Sequence, residues 1–465
     1  MIRTGTKFRI ASLAAAAVLM VSACSGSSAS PAASTAASAA ASQAATTPST
    51  AASQAASPAA SAAASSGTAC TSTPAASTIN IGVEGPFTGP NALTGTEMKN
   101  ASSMAFDAIN WQIGPYKINP VYIDDQSDPA KGAAAYEQAI ASQKIIAGIL
   151  GWHSSVAVAQ MEITAKYQIP HFFAMGATGV VNQKFNSDKA KYGYWTTKGW
   201  PDPSKLSIGY VQAIEDAIAA GTYKPATKDV AVYGEDTDWG RSFAKGLEDG
   251  LKAKGWTVVS EDFFPTTQTD FSALVSRYQS NNVPLIAGTT TIPASIASFL
   301  KAIDDAGLKS LVVADGLGWI GDWYKLSGSA SDYVVDQIPQ FASDKAKKFA
   351  TDYEAKYGSK PSPSAAGLSY DFTNYFIKVA QQTLAEQCEI SSKTLYKTAQ
   401  DEIWTGKLTY TDGIIMSNYD YSPDSIPDPV VGGGHYIFPA LQYMGGNATV
   451  VWPSDVATGK LQQKP

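Results

Sequence analysis

Ile118-Asn-Pro-Val-Tyr-Ile-Asp124, then Asp128-Pro-Ala-Lys-Gly-Ala-Ala-Ala-Tyr-Glu-Gln-Ala-Ile-Ala-Ser-Gln143, then Ile145-Ile-Ala-Gly-Ile-Leu150 is the stretch that decides the fold. A short β-forming run, a long helix-forming run and a second apolar run make one βαβ unit. The same order extends outward in both directions. Upstream, Thr78 to Val83 predicts a strand, and Thr96 to Asn110 a helix with Met98, Ala101, Ala105 and Ala108 on one stripe. Downstream, a helix over Ser155 to Tyr167 leads to a strand over Phe172 to Ala174.

After a polar, Trp-rich passage from Tyr194 to Pro203 the alternation restarts. Helices are expected over Lys205 to Ala220, Trp239 to Lys254, Phe271 to Ser280 and Ala294 to Ala306. Strands are expected over Val230 to Tyr233, Thr257 to Phe263, Leu285 to Gly288 and Leu311 to Ala314. Two further helices follow, Asp344 to Tyr357 and Ala365 to Gln387, then a strand-like tail from about Lys407, rich in Tyr, Pro and Gly. The expectation is an α/β protein of two lobes, each a doubly wound parallel sheet.

The N-terminal region has a different character. Arg3, Lys7 and Arg9 precede an apolar run from Ile10 to Val21, which is too short to span a bilayer and reads as a signal peptide over residues 1–23. Val21-Ser-Ala-Cys24-Ser-Gly26 resembles the bacterial lipobox, in which cleavage precedes an acylated cysteine; a plain signal peptide is the alternative. Residues 24–77 are almost wholly Ala, Ser, Thr and Pro, with no apolar face to bury. They read as a disordered tether with a reach of roughly 40 Å. This places the remainder outside the cell, lipid-anchored to the bacterial cell membrane.

The chain has 465 residues, of which 16% are charged, with a formal net charge of −6 and no basic patch to serve a nucleic acid. If Cys24 carries lipid, Cys70 and Cys388 are left as an even pair in an oxidising compartment; a disulfide or two free thiols are both open. No Cys/His cluster suggests a metal, and no cofactor is expected. Enzyme signatures such as GxSxG, HExxH or a Walker loop are missing.

Ligands of open α/β sheets sit beyond the carboxyl ends of strands. After Leu150 comes Gly-Trp-His-Ser154-Ser155, where hydroxyls and free N–H groups at a helix start make an anion site, or simply a cap. After Ala174 comes Met-Gly-Ala177-Thr178, small enough for close approach. Trp239 stands where it closes over a ligand or packs between lobes. Thr291 ends a hydroxyl run, and Asp315 is either a local Asp-Gly turn residue or the partner of a cationic group.

These residues are similar to the type I periplasmic solute-binding proteins of ABC transporters, in the branch named for leucine, isoleucine and valine. The likeness is carried by Ile81-Gly-Val-Glu-Gly-Pro-Phe-Thr-Gly-Pro90, Leu93-Thr94-Gly95, Asp124-Asp-Gln-Ser-Asp-Pro129 and the Gly151 to Ser155 turn. It continues through Asp238-Trp-Gly-Arg-Ser-Phe243 and Ala306-Gly-Leu-Lys309. The resemblance implies three hinge crossovers, with lobe 1 over residues 78–198 and 333–404 and lobe 2 over 199–332 and 405–465. It also implies that Ser154, Ser155, Ala177 and Thr178 hold a carboxylate, that Asp315 meets an ammonium, and that Trp239 closes on the ligand. Thr94 stands where some relatives have a bulky aromatic.

The function so implied is capture of an amino acid or related small polar solute by a monomeric protein that meets ABC importer permease subunits. A ligand-sensing subunit presenting its closed form to a receptor, and an amide- or urea-type binder, are the other readings.

Overall fold

The computed structural model describes residues 75–465. The first sheet is built from β1 (Ser77–Gly85), β2 (Gln112–Ile113), β3 (Tyr116–Asp124), β4 (Ile145–Leu150) and β5 (His171–Phe172), in the order β2-β3-β1-β4-β5. β1 is fully covered from Ile81 to Gly85, as a central parallel strand must be. The helices between these strands are α1 (Ala92–Asp107), α2 (Pro129–Gln143) and α3 (Ser154–Tyr167). α4 (Gly179–Ser187) and α5 (Lys189–Tyr192) follow β5. The opening stretch works as its residues dictate. Asp128 accepts hydrogen bonds from Ala130 N and Lys131 N, Pro129 occupies the first turn, and together they start α2.

The second sheet holds β6 (Asp229–Glu235), β7 (Thr257–Phe264), β8 (Leu285–Thr289), β9 (Leu311–Asp315), β10 (Val335–Gln337), β11 (Ala440–Met444) and β12 (Asn447–Trp452), ordered β12-β11-β10-β9-β8-β6-β7. It is flanked by α6 (Pro203–Ala219), α7 (Asp238–Ala253), α8 (Ser272–Ser280), α9 (Pro293–Asp305) and α10 (Trp323–Ser327). α11 (Asp344–Tyr357), α12 (Ser369–Gln387) and α13 (Ser392–Thr398) return to the first sheet, where α11 and α12 pack on α1 and α13 on β4.

The doubly wound, two-sheet expectation stands with one amendment. Both sheets are mixed, because β2 pairs antiparallel with β3, and β11 and β12 run antiparallel at the far edge of the second sheet.

The passages between sheets differ from the expected boundaries. The return at Tyr333 comes later, because β10 still pairs with β9 and β11. Residues after 404 do not go straight to the second sheet either. Asp371 of α12 accepts hydrogen bonds from Ile414 N, Ile415 N and Tyr419 Oη, which holds this stretch on the first lobe. The chain reaches the second lobe near Phe438, whose carbonyl accepts from Gln337 Nε2. Two passages are tied together by Lys198, whose Nζ lies 2.8 Å from Asp428 with both side chains fully buried.

The signal peptide, Cys24, Cys70 and nearly all of the tether lie outside the described residues. Cys388, at the C-terminus of α12, is disulfide-bonded. Among the described residues no helix is long and apolar enough to cross a membrane.

Candidate functional site

The turn after β4 sets the first wall of a cleft between the sheets. Leu150 and Gly151 both take positive φ, and a Cβ on Gly151 would run into the Glu84 carboxyl, so only glycine fits there. The chain then turns into α3 with Ser154 as its first helical residue. Ser154 Oγ accepts from Thr178 N at 3.2 Å, joining this turn to the cap of α4.

Across the cleft, Thr237 caps α7 by accepting from Gly240 N, which sets Trp239 in the first turn. The walls touch directly. Ser155 Oγ accepts from Asp238 N at 3.3 Å, and the hydroxyls of Thr178 and Ser242 are 2.9 Å apart.

Between the walls lies a narrow chamber lined by Trp152, Trp200, Trp239 and Trp319 together with Ser154, Met175 and Thr291. The indoles meet at steep angles: 84° for Trp152 and Trp319, 83° for Trp200 and Trp319, 75° for Trp200 and Trp239. Their centroids are 5.3, 5.4 and 6.1 Å apart in these pairs. Trp239 Nε1 donates to Thr289 Oγ1, whereas the N–H groups of Trp152, Trp200 and Trp319 have no partner among the described residues. An outer vestibule of about 960 Å³ shares Ser154 and Trp239 and adds His153, Ser155, Glu235, Asp236 and Thr237.

Carboxyl groups stand behind the second wall. Glu235 accepts from both the backbone N–H and the hydroxyl of Thr291, each at 2.7 Å. Asp315 accepts from Tyr210 Oη at 2.7 Å and from Thr289 Oγ1 at 3.1 Å. Asp336 accepts from Gly318 N and Tyr443 Oη, both at 2.8 Å. Burial first, and then repulsion from Asp336, holds the Asp315 carboxyl well above the usual carboxylate range, against the pull of Tyr210 and Thr289. Burial likewise raises Asp336, opposed by the backbone donors of Gly318 and Gln337. Under the first wall, burial and the neighbouring Asp125 raise Glu84 well above its ordinary value.

The sequence-derived site residues therefore divide. Ser154, Trp239 and Thr291 line the chamber, and Ser155 lines the vestibule. Thr178 and Ala177 stand behind the lining, the former linking the walls and the latter giving its carbonyl to Lys198 Nζ. Asp315 lies two hydrogen bonds behind the lining, in the chain Trp239–Thr289–Asp315. Thr94 is buried in α1 with its hydroxyl on Asn91 and does not reach the chamber lining. Trp152, Trp200 and Trp319 escaped sequence reasoning. Each follows a strand end or begins a crossing, and that position was their only signal. Among the described residues no group of His, Cys, Asp and Glu is arranged to hold a metal ion.

Comparison with known proteins agrees with this geometry. The chain is 26% identical over 321 residues to the Leu/Ile/Val-binding protein homolog 8 of Brucella abortus (strain 2308), covering 65% of this chain and 75% of that one. It superposes with a TM-score of 0.66 and 16% identity on a Rhodopseudomonas palustris ABC transporter solute-binding protein in complex with benzoate, over 83% of this chain and 97% of that one. For the branched-chain amino acid transporter substrate-binding protein LivJ of Streptococcus pneumoniae, in complex with isoleucine, the TM-score is 0.61 at 18% identity, over 80% and 97%. The periplasmic binding protein family matches residues 78–400, and the protein belongs to that family, whose members bind solutes and are not enzymes.

Proposed function

We propose that this protein is the extracytoplasmic, lipid-anchored solute receptor of an ABC importer. The carrying observation is the chamber itself: one lining drawn from Ser154 and Trp152 on one lobe and from Trp239, Thr291 and Trp319 on the other. A solute held by both walls stabilises the closed arrangement, because each lobe alone offers half the contacts. The closed form is then the shape that permease subunits read. In the benzoate- and isoleucine-bound relatives the solutes are small acids, which supports a small solute bearing an acidic group.

The test is a broad thermal-shift screen of amino acids, betaines, amides and aromatic acids. A solute that binds only the folded state adds about 2.7 kcal/mol of stability at a hundredfold excess over Kd. No shift from any class counts against solute capture.

The anchor rests on Cys24 and residues 1–23, and multiple acyl chains are what make such an anchor stable. Cys24→Ser is expected to release the protein or block its processing; normal processing and retention would remove the lipid from this reading. The disulfide at Cys388 is assigned to Cys70, to be checked by peptide mapping without reductant.

A further inference from the structure

The chamber lining is aromatic to a degree that a site for an ordinary amino acid does not require. Four of its seven residues are tryptophan, and three of those indoles keep an unpartnered N–H while at least nine-tenths buried. No lysine or arginine lines it. Lys198 is the only fully buried cation among the described residues, and it is committed to Asp428, Asn182 and the carbonyl of Ala177. Behind the second wall stand Glu235, Asp315 and Asp336.

These facts constrain the solute from two sides. A purely anionic solute would enter a space backed by carboxyl groups and free of any cation. A primary ammonium would bring three N–H donors to a lining that contains no carboxylate, since Asp315 lies behind it, bonded to Tyr210 and Thr289. A methylated ammonium has few or no donors to satisfy, and steeply crossed indole faces attract its charge. The free indole N–H groups and the start of α3 supply donors for an acidic group at the other end.

Building on the solute-capture reading, we infer that the chamber takes a zwitterion whose cationic end is a methylated ammonium, packed on the indole faces, with its carboxylate on the free indole N–H groups and the start of α3. Glu235, Asp315 and Asp336 then stand at second remove behind the aromatic wall, joined to it through Thr291 and Thr289.

The experiment is a set of calorimetric titrations of the purified protein with glycine betaine, its carbon isostere tert-butylacetate, leucine and benzoate. Glycine betaine is expected to bind at least tenfold more tightly than tert-butylacetate, with a change in indole fluorescence. Trp319→Leu is expected to erase most of that preference. Equal binding of betaine and its isostere would overturn the cationic part of the inference. Tighter binding of leucine or benzoate would overturn the whole of it while leaving solute capture intact. Silence from all four probes also overturns it, and the broad thermal screen then decides separately whether capture itself stands.

Discussion

The two walls of the cleft are made by the same device, a βα turn at the carboxyl end of a parallel strand, yet they differ in chemistry. On the first lobe β4 ends in Leu150, and the wall is finished by hydroxyls at helix starts, Ser154, Ser155 and Thr178. On the second lobe β6 ends in Glu235 and β9 in Asp315, so the threonine hydroxyls turn back onto carboxyl groups instead of facing the cleft. Glu84 is the first lobe's own buried carboxyl, raised well above its ordinary value by burial and by Asp125, as Asp315 is by burial and by Asp336. The lesson is that topology places a site, while the last residue of each strand sets its polarity. In the proposed reading, one wall takes the acidic end of a solute and the other its cationic end.

The largest test removes what holds the walls in register. Lys198 and Asp428 are both fully buried, and burial pulls the Lys198 pKa down from its usual value. Asp428 stays below the usual carboxylate range although burial opposes it, because Lys198 and Lys205 attract its charge. Lys198→Met should cost at most about 3–5 kcal/mol in chemical denaturation, because Asp428 loses its fully buried partner but keeps Lys205 and the Asp202 N–H. The double variant Lys198→Met with Asp428→Leu should recover much of that. A single variant as stable as the wild type would show that the ion pair does not hold the crossing.

A smaller effect concerns Glu97, which spans the lobes by accepting from Gly321 N and Ser362 N. Burial raises its carboxyl to about 7. A carboxyl raised in the folded state gives stability that is full below its ordinary value and lost as pH rises through about 7. The stability advantage of the wild type over Glu97→Gln should therefore shrink between pH 5 and pH 8. At about 1.4 kcal/mol for each tenfold change in proton affinity, the loss is at most about 3 kcal/mol. His171, lowered to about 4 by burial, acts the other way in acid and is common to both proteins, so the difference isolates Glu97. A pH-independent difference would remove Glu97 as the cause.

The smallest test compares the walls directly. Glu235→Gln should weaken binding of a cation-bearing solute about tenfold, or about 1.4 kcal/mol, because it removes the carboxyl that backs the lining at Thr291. Ser155→Ala should weaken it about threefold or less, since the backbone donors at the start of α3 remain. If the serine variant loses more than the glutamate variant in calorimetry, the assignment of ends to walls is reversed.

The sequence carried most of the sheet order and little of the chamber. Long apolar runs such as Leu285 to Gly288 and Ile145 to Leu150 can only be buried central strands, and they are. The short strands β2 and β10 have two and three residues. Pairing partners made those, not their own propensity. For Asp315 the strand-end position was legible, but not that Tyr210 of α6 and Thr289 of β8 would occupy its oxygens. The indole box was harder still. Trp152, Trp200, Trp239 and Trp319 come from four separate segments, and nothing local to any of them records the other three.

The path of the chain sets the timing of assembly. Residues that complete the first lobe, up to Tyr421 with its hydrogen bond to the Lys198 carbonyl, come after every strand of that lobe has been made. The second sheet waits even longer, because β11 and β12 end at Trp452. A polypeptide emerging N-terminus first can fold fragments of either body early, but it finishes neither until almost the last residue has left the ribosome. The nascent protein is thus kept unfinished for nearly the whole of its synthesis.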